Sequence, residues 1–361
     1  MTVRAITTDL AIQRRRLARR FGDLATGAGL WVAILGFCLW AAVAETDAFA
    51  VGVVVGSVLV LGAIGLTLIY GILKFAHFAH GDAMMLAAYV AFFALTGTAV
   101  GARTDVSLPW SLQDLPGATT PIWDFSFGYG LLLAVPLAAL VTVVLFLALD
   151  ALVYAPLRRR RAGIVIFAIA SLGIAIAMRS FVLAVWGPGP RFYVKGIRPT
   201  IDLPLGPRIV TDQLFIAGVA VVLVALVYLL LFRTRIGRAM RATADNAELA
   251  RVAGIDTDMV VRWTWVVSAA LVAIAGVLLA LQSQLKPELG FVLLLPLFAA
   301  TVLGGIGSPQ GALAGGLFVG IAQEVAVTFD VLSPGYKFSV AFVILILVIL
   351  IRPRGLFGTQ T

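Results

Sequence analysis

Long apolar runs, separated by short polar or glycine- and proline-rich connections, make up most of the chain. Most runs are about 20 residues long, which is the length that an α-helix needs to cross a bilayer. The pattern predicts an all-α polytopic membrane protein with about 8–10 transmembrane helices, including re-entrant or broken ones. A β-barrel would instead show alternation in segments of about ten residues. The ten predicted segments are Gly27–Ala44, Phe49–Leu73, Ala83–Val100, Gly128–Ala155, Gly163–Trp186, Gln213–Phe232, Trp263–Gln282, Phe291–Gly304, Gly311–Phe329 and Lys337–Ile351.

The composition argues against a soluble domain. Of the 361 residues, 61% are hydrophobic and 12% are charged, whereas soluble domains carry about 25% charged residues. The net charge of +9 is concentrated in blocks between apolar runs, which is typical of membrane topology and not of nucleic-acid binding. Cys38 is the single cysteine, so neither a disulfide framework nor a cysteine-based metal site is predicted.

Four arginine-rich blocks predict the orientation. They precede the first segment, separate the fourth from the fifth and the sixth from the seventh, and follow the tenth. An even number of predicted spans lies between successive blocks, so all four fall on one side of the membrane. That side is predicted to be cytoplasmic, with both termini on it. The blocks are Arg14–Arg20, Arg158–Arg161, Arg233–Arg241 and Arg352–Arg354, and the connections predicted to face outward are Gly101–Phe127 and Gly187–Asp212.

The N-terminal stretch has two interpretations. Arg14–Arg20, the apolar core that follows it and the small residues Ala42–Ala44 resemble a cleavable signal peptide. The alternative is a first helix that is retained, which we favour because polytopic membrane proteins seldom need a removed signal.

A polar break at Gly71–Asp82 holds both histidines of the chain. His77, His80 and Asp82 suggest a metal site or a proton relay, since ionisable residues inside a membrane are often functional. The alternative is structural: Gly81 turns the chain and Asp82 caps the helix that follows. No further histidine or cysteine exists to complete a zinc site, so we expect no metal and favour the structural or pathway-lining role.

Several polar side chains fall within the apolar segments. Asp150 and Arg179 lie at different depths, so we expect each to extend towards its nearer surface and not to pair with the other. Glu324 lies mid-segment and is expected to face the bundle interior. Gln282 and Gln323 are candidates for hydrogen bonds inside the bundle, with ordinary helix contacts as the alternative.

A second break, Gly304–Gly311, ends the short eighth segment, which could be re-entrant. It lacks the lysine of a phosphate-binding loop. Interrupted segments in the two halves of a transporter point to a translocation site at the midplane. We therefore predict that both breaks and the buried acid contribute to a substrate pathway. Its predicted residues are His77, His80, Gly81, Asp82, Gly304, Gly305, Gly307 and Glu324.

The loop Arg233–Arg262 contains a short capped helix by pattern. Asp245 and Glu248 fit a capping box, and Gly254 fits the left-handed residue that ends a helix. A short helix held on a rigid bundle suits docking into a partner's groove. The alternative is a solvated helix that only connects two spans.

Five stretches in order resemble the permease subunits of branched-chain amino acid ABC importers, the first (H-type) subunit more than its M-type partner. The family usually has asparagine where this chain has His77. The extra first helix and the long loop at 101–127 also depart from the common form. The matching stretches are Gly65–Tyr89, Val153–Arg158, Gly237–Asp256, Ala299–Ser308 and Arg352–Gly358.

The resemblance implies a domain order of a basic N-terminus plus extra helix over residues 1–48 and a permease domain over 49–361. It implies a bacterial inner-membrane subunit working with a second related permease, two cytoplasmic ATPase subunits and an external solute-binding protein, without nucleic acid. ATP would be used by the partners, and no cofactor would be bound by this chain, which would not itself be an enzyme. The residues implied in ATPase coupling are Arg241, Asp245, Glu248, Ala250 and Gly254.

Other functions remain open at this point. Similar permeases carry urea, short amides or other amino acids, so the substrate is not fixed by the motifs. An ion-coupled secondary transporter would work without partners, but the capped helix would then have no evident role. An intramembrane enzyme using His77, His80 and Asp82 is a remote third.

Overall fold

The structure is a computed structural model. It describes residues 28–101, 104–194, 196, 198–202, 206–329 and 333–358. The arginine block Arg14–Arg20 and Gly27 lie outside the described residues.

Thirteen α-helices and two small hairpins are described. The hairpins pair β1 (Thr98–Val100) with β2 (Asp105–Ser107) and β3 (Thr200–Asp202) with β4 (Arg208–Val210), both antiparallel. A π-turn, Asp150–Tyr154, joins α4 to α5 without a break. The helices are α1 (Ala28–Ala44), α2 (Thr46–Leu73), α3 (Ala79–Thr96), α4 (Tyr129–Leu149), α5 (Ala155–Arg159), α6 (Ile164–Trp186), α7 (Thr211–Arg233), α8 (Arg235–Asp245), α9 (Ala247–Val252), α10 (Thr257–Gln282), α11 (Leu289–Gly304), α12 (Pro309–Ala326) and α13 (Lys337–Ile351).

Each of the ten predicted segments contains a helix, so the prediction of an all-α polytopic membrane protein is confirmed. Seven helical stretches in the described residues are long and apolar enough to cross a membrane, and α1 and α11 are shorter apolar helices. The predicted boundaries are less accurate: α3 begins at Ala79, four residues before the predicted start at Ala83. The cause is that polar residues in a buried first turn look like a loop in the sequence.

Helices α2, α3 and α10 form the centre of the bundle. Most of their residues are buried, whereas α4, α6, α7 and α13 expose long apolar faces, as expected for surfaces that meet lipid. Glycines allow the central helices to approach closely: a Cβ at Gly276 on α10 would lie 2.0 Å from the carbonyl oxygen of Met84 on α3. Small residues at helix crossings are typical of membrane bundles, where backbones pack directly.

The bundle has two chemically different ends. At one end, Lys74 after α2 contacts the C-terminal part of α8, and Gly307 after α11 lies beside Gly71. We call this the basic end, because the arginine blocks at 158–161, 233–241 and 352–354 follow helices that finish there. Both hairpins lie at the other end, which we call the opposite end.

Candidate functional site

The break between α2 and α3 is a non-helical stretch of five residues, 74–78. Lys74 has a left-handed backbone (φ 59°), and its N–H donates to Tyr70 O, so it ends α2 as glycine often does. Gly81 and Asp82 both lie inside the first turn of α3. The predictions that Gly81 turns the chain and that Asp82 caps the helix are therefore wrong; the chain turns at residues 74–78, a stretch that includes His77.

Both histidines are enclosed by protein. His77 Nε2 lies 3.1 Å from the Tyr154 hydroxyl, and His80 Nε2 lies 2.8 Å from the carbonyl oxygen of Gly62, in the middle of α2. The Nδ1 atoms of both rings are buried without a hydrogen-bond partner among the described residues. In the part of the chain that the structure describes, no group of three or more potential metal ligands occurs.

Aromatic rings surround His77. The rings of Trp265 and Phe146 lie 5.3 and 5.6 Å from it, edge-on, and Tyr154 stacks on Trp265 at 5.1 Å. These residues come from three elements: α4, the π-turn and α10. The π-turn matters here because its extra residue rotates Tyr154 into the bundle.

Asp150 begins the π-turn and is held in place by two donors. Arg158 Nη1 and Nη2 donate to its two oxygens at 2.7 and 3.0 Å, and Trp265 Nε1 donates to Oδ1 at 2.7 Å. The expectation that Asp150 extends towards the surface is therefore wrong. The expectation that Asp150 does not pair with Arg179 is confirmed. Its carboxylate thus links Arg158 of α5 to Trp265, one of the aromatic rings around His77.

Replacing Tyr154 by phenylalanine should destabilise the protein moderately. The change removes the hydroxyl and leaves His77 Nε2 buried without a partner, which costs about 1–3 kcal/mol. Reversible unfolding in mixed detergent micelles would measure the change in free energy. Tyr228→Phe on the exposed face of α7 is the matched control and should have no effect. Equal stability of the Tyr154 variant and the control would contradict the role given to this contact.

Asp82 forms an ion pair with Arg179 of α6. Arg179 Nε donates to Oδ1 at 3.0 Å and Nη2 to Oδ2 at 2.9 Å, and the guanidinium lies 4.6 Å above the Phe291 ring of α11. Asp82 is 1% exposed, whereas the Arg179 side chain is 25% exposed. The prediction that Arg179 extends to a surface is wrong, because its pairing with Asp82 avoids an uncompensated charge inside the bundle.

A part-exposed surface beside this ion pair is formed by residues of α6, α11 and the start of α3. Helix α3 packs against both α6 and α11. At its start, the Phe78 N–H donates to Ser171 Oγ on α6 at 3.0 Å, and the Phe78 ring packs 5.5 Å from Phe298 on α11. Phe291 and Leu295 are exposed on the same helix. We call this the α6–α11 surface; it consists of Phe78, Arg179, Phe291, Leu295 and Phe298.

The second break lies at the basic end. Gly305 and Gly307 have positive φ angles of 101° and 87°, which favour glycine. The last carbonyls of α11, those of Leu303 and Gly304, accept from the N–H groups of Leu356 and Phe357 at 2.7 and 2.9 Å. Gly304 and its neighbours are therefore packed against the C-terminal segment, and the structure does not bring them together with His80 or Asp82.

Glu324 lies in the last turn of α12 near the opposite end, not in the middle of the segment. Lys337 Nζ donates to it at 2.6 Å, so it is held by an ion pair between α12 and α13. Gln323 Nε2 donates to the Lys337 carbonyl at 3.1 Å, and Gln282 Oε1 is buried without a partner among the described residues. The predicted pathway residues thus occupy three separate places in the fold.

The loop between α7 and α10 contains two helices, of which only the second was predicted. Thr234 caps α8, and a Cβ at Gly237 would lie 2.1 Å from the Leu230 carbonyl oxygen, so α8 packs closely on the end of α7. Arg241 lies over the Phe232 ring at 4.7 Å. The sequence signal for α8 is a three-residue spacing, shared by Arg235, Arg238 and Arg241 and by the buried Gly237, Met240 and Thr243. The prediction from the sequence treated this stretch only as an arginine-rich block.

Asn246, not Asp245, caps α9. Its side-chain oxygen accepts from the N–H groups of Glu248 and Leu249 at 3.0 and 2.9 Å, while Asp245 is the last residue of α8. The predicted capping box is therefore wrong by one residue. Gly254 has φ 86°, which confirms its left-handed conformation just after the helix.

Helix α9 presents apolar side chains to the outside. Leu249 and Val252 are 66% and 86% exposed, while Ala250 is buried against the bundle. Lys74 Nζ donates to the Ala244 carbonyl at 2.7 Å, which connects the break after α2 directly to the end of α8. The break after α2 is thus linked by one side chain to the end of α8, which α9 follows directly along the chain.

Comparison with known proteins agrees with this architecture. Residues 48–349 match the family described as branched-chain amino acid transport system / permease component. The chain is 33% identical to the permease protein BraD of a high-affinity branched-chain amino acid transport system in Pseudomonas aeruginosa, over 85% of this chain and 94% of BraD. It is 31% identical to the corresponding LivH of Escherichia coli K12, over 85% and 93%. A probable LivH of Methanocaldococcus jannaschii is 29% identical over 85% and 91%.

No solved structure matches the chain. The relatives are transport permease proteins, and the matches cover nearly their whole length. The family match runs from near the start of α2 into α13. The chain is therefore a multi-pass membrane protein that belongs to the branched-chain amino acid transport permease family.

Proposed function

We propose that the chain is the transmembrane permease subunit of an ATP-driven ABC importer in a bacterial inner membrane. It would carry branched-chain or related amino acids from an external solute-binding protein into the cytoplasm, paired with a second related permease and two cytoplasmic ATPase subunits. The basic end would face the cytoplasm, in keeping with its arginine blocks.

The observation that carries this proposal is the α8–α9 element. Two exposed apolar side chains, Leu249 and Val252, lie three positions apart on this helix of six residues. They suit insertion into an apolar groove of a partner at the basic end. The close packing of Gly237 on α7 makes the element rigid, so a displacement of α9 would move the bundle with it.

The structure offers a route for that displacement. Lys74 holds the end of α8 and is the first residue of the break, which contains His77 and leads into His80 in the first turn of α3. Moving α8 would therefore pull on residues 74–78 and on the start of α3, where the Asp82–Arg179 ion pair borders the α6–α11 surface. In this scheme the histidines position the break, and the α6–α11 surface borders the solute path.

Reconstitution of the complex tests the function. Proteoliposomes containing this chain, its second permease and the ATPases should take up labelled leucine only with ATP and the binding protein, and vanadate should stop the uptake. Uptake by this chain alone, driven by an ion gradient, would overturn the proposal in favour of a secondary transporter. Uptake of urea or a short amide without any amino acid uptake would overturn the substrate assignment alone.

Replacing Leu249 and Val252 together by aspartate should release the ATPases. Each side chain would contribute about 1.5–3 kcal/mol when buried in a partner, so co-purification of the ATPases should fall by at least about tenfold. The matched control replaces Val106 and Leu115 by aspartate, two exposed apolar residues at the opposite end. The control should retain its ATPases, and undiminished co-purification by the Leu249/Val252 variant would contradict the docking role.

A further inference from the structure

Arg179 has hydrogen-bonding capacity that the ion pair leaves unused. Asp82 occupies the side-on fork of the guanidinium, formed by Nε and one N–H of Nη2. The end-on fork, formed by Nη1 and the other N–H of Nη2, makes no hydrogen bond to any described residue. A planar guanidinium can bind two carboxylates at once, one on each fork, because its five N–H donors lie in one plane.

The position of Arg179 makes an unused fork informative. Arg179 lies seven residues before the end of α6, roughly 10 Å along the helix axis. Its side chain is part-exposed, and its neighbours on the outer surface of α6, Leu172 and Ile176, are exposed and apolar. A charged group with free donors is costly in lipid, so at this depth it is expected to face a partner protein or a wet path.

The surroundings favour one class of ligand. The exposed side chains of Phe291 and Leu295 in the α6–α11 surface offer apolar contacts beside the fork. Asp82 already neutralises Arg179, so a ligand carrying only a carboxylate would leave a net negative charge. A zwitterion avoids this, and Glu288, the exposed N-cap residue of α11 three positions before Phe291, is a counter-charge for an ammonium group.

We propose that the end-on fork of Arg179 binds the carboxylate of the passing substrate, so that this subunit itself selects zwitterionic apolar amino acids over their neutralised or amide analogues. The inference rests on the proposed function and adds a specificity-determining residue to it. Selection would then occur twice, once in the external binding protein and once in the membrane.

The test uses the complete complex in lipid nanodiscs, without nucleotide and without the binding protein. Unlabelled L-leucine and L-leucinamide compete for bound labelled L-leucine; the amide lacks the carboxylate. The wild-type complex should prefer leucine by at least about tenfold. Arg179→Lys keeps the charge beside Asp82 but loses the planar fork, so the preference should disappear. A merely structural role would weaken both competitors equally.

Two further variants keep the result decisive. Ser180→Ala, the exposed neighbour on α6, should retain the full preference. The double variant Asp82→Asn, Arg179→Gln removes the fork without leaving a buried charge, and it should also lose the preference. It serves as the test in case Arg179→Lys folds poorly. A preference that survives in both Arg179 variants, or that is absent from the wild type, would overturn the inference. ATP-driven leucine uptake by the wild type, measured separately, shows whether the proposed function fails with it.

Discussion

Replacing Arg179 by glutamine should lower the free energy of unfolding by about 3 kcal/mol. Asp82 is 1% exposed, so the substitution leaves a carboxylate inside the bundle beside a neutral amide. Loss of one partner from a buried ion pair usually costs about 3–5 kcal/mol, and the glutamine amide, which can still donate a hydrogen bond, places the expected loss at the lower end.

A double-mutant cycle separates the ion pair from packing effects. Asp82→Asn alone should be milder, because the remaining Arg179 is part-exposed and reaches water. The double variant Asp82→Asn, Arg179→Gln should recover most of the stability, since neither side chain is then charged. Reversible unfolding in mixed detergent micelles gives all four values. If the double variant were as unstable as Arg179→Gln, the loss would come from packing and the ion-pair account would be wrong.

Adding one methyl group at Gly276 should be at least as damaging. The new Cβ of Gly276→Ala would lie 2.0 Å from the Met84 carbonyl oxygen and 2.7 Å from its carbon, both backbone atoms that no rotamer change can move. Helices α3 and α10 would have to separate at the centre of the bundle. Overpacking commonly costs about 1–3 kcal/mol, and we expect this site to reach or exceed the upper value.

The matched control is Gly173→Ala on α6, where the added Cβ meets nothing within 4 Å. Both changes replace a helical glycine by alanine, so the gain in helix propensity is common to them. The control should be neutral or slightly stabilising by the same unfolding measurement, whereas Gly276→Ala should lose folded protein in detergent. Similar stability of the two variants would mean that the α3–α10 crossing can relax, contrary to the close backbone contact described.

The sequence predicted the helices well because membrane solvation acts on each segment separately. A run of about 20 apolar residues must be helical whatever its neighbours are. It could not predict which side chains meet across the bundle. Arg179 and Asp82 are 97 residues apart, and hydropathy alone left Arg179 to extend to a surface. The sequence also contained no signal that Tyr154 would be rotated inward by a π-turn to reach His77.

Helix ends that contain polar residues were harder to predict from the sequence for a related reason. Asp245 and Asn246 are adjacent, and both residue types suit an N-cap, so the sequence does not tell which of them caps α9. In the structure Asp245 is the last residue of α8 and Asn246 is the N-cap of α9. The buried first turn of α3 contains a histidine, a glycine and an aspartate, a composition that normally indicates a loop. In both places tertiary contacts, and not local preference, determine where the helix begins.

The contact between α1 and the C-terminal segment has a consequence for biosynthesis. Trp31 and Phe357 pack edge-to-face at 5.4 Å although 326 positions separate them along the chain. At about 5–20 residues per second, translation of the intervening stretch takes on the order of tens of seconds. During that time Trp31 of α1 lacks this contact, and once α11 has been made its last carbonyls also lack the N–H groups that they accept from in the finished fold. Insertion machinery or lipid must therefore shield one end of a nearly finished bundle until the closing residues arrive.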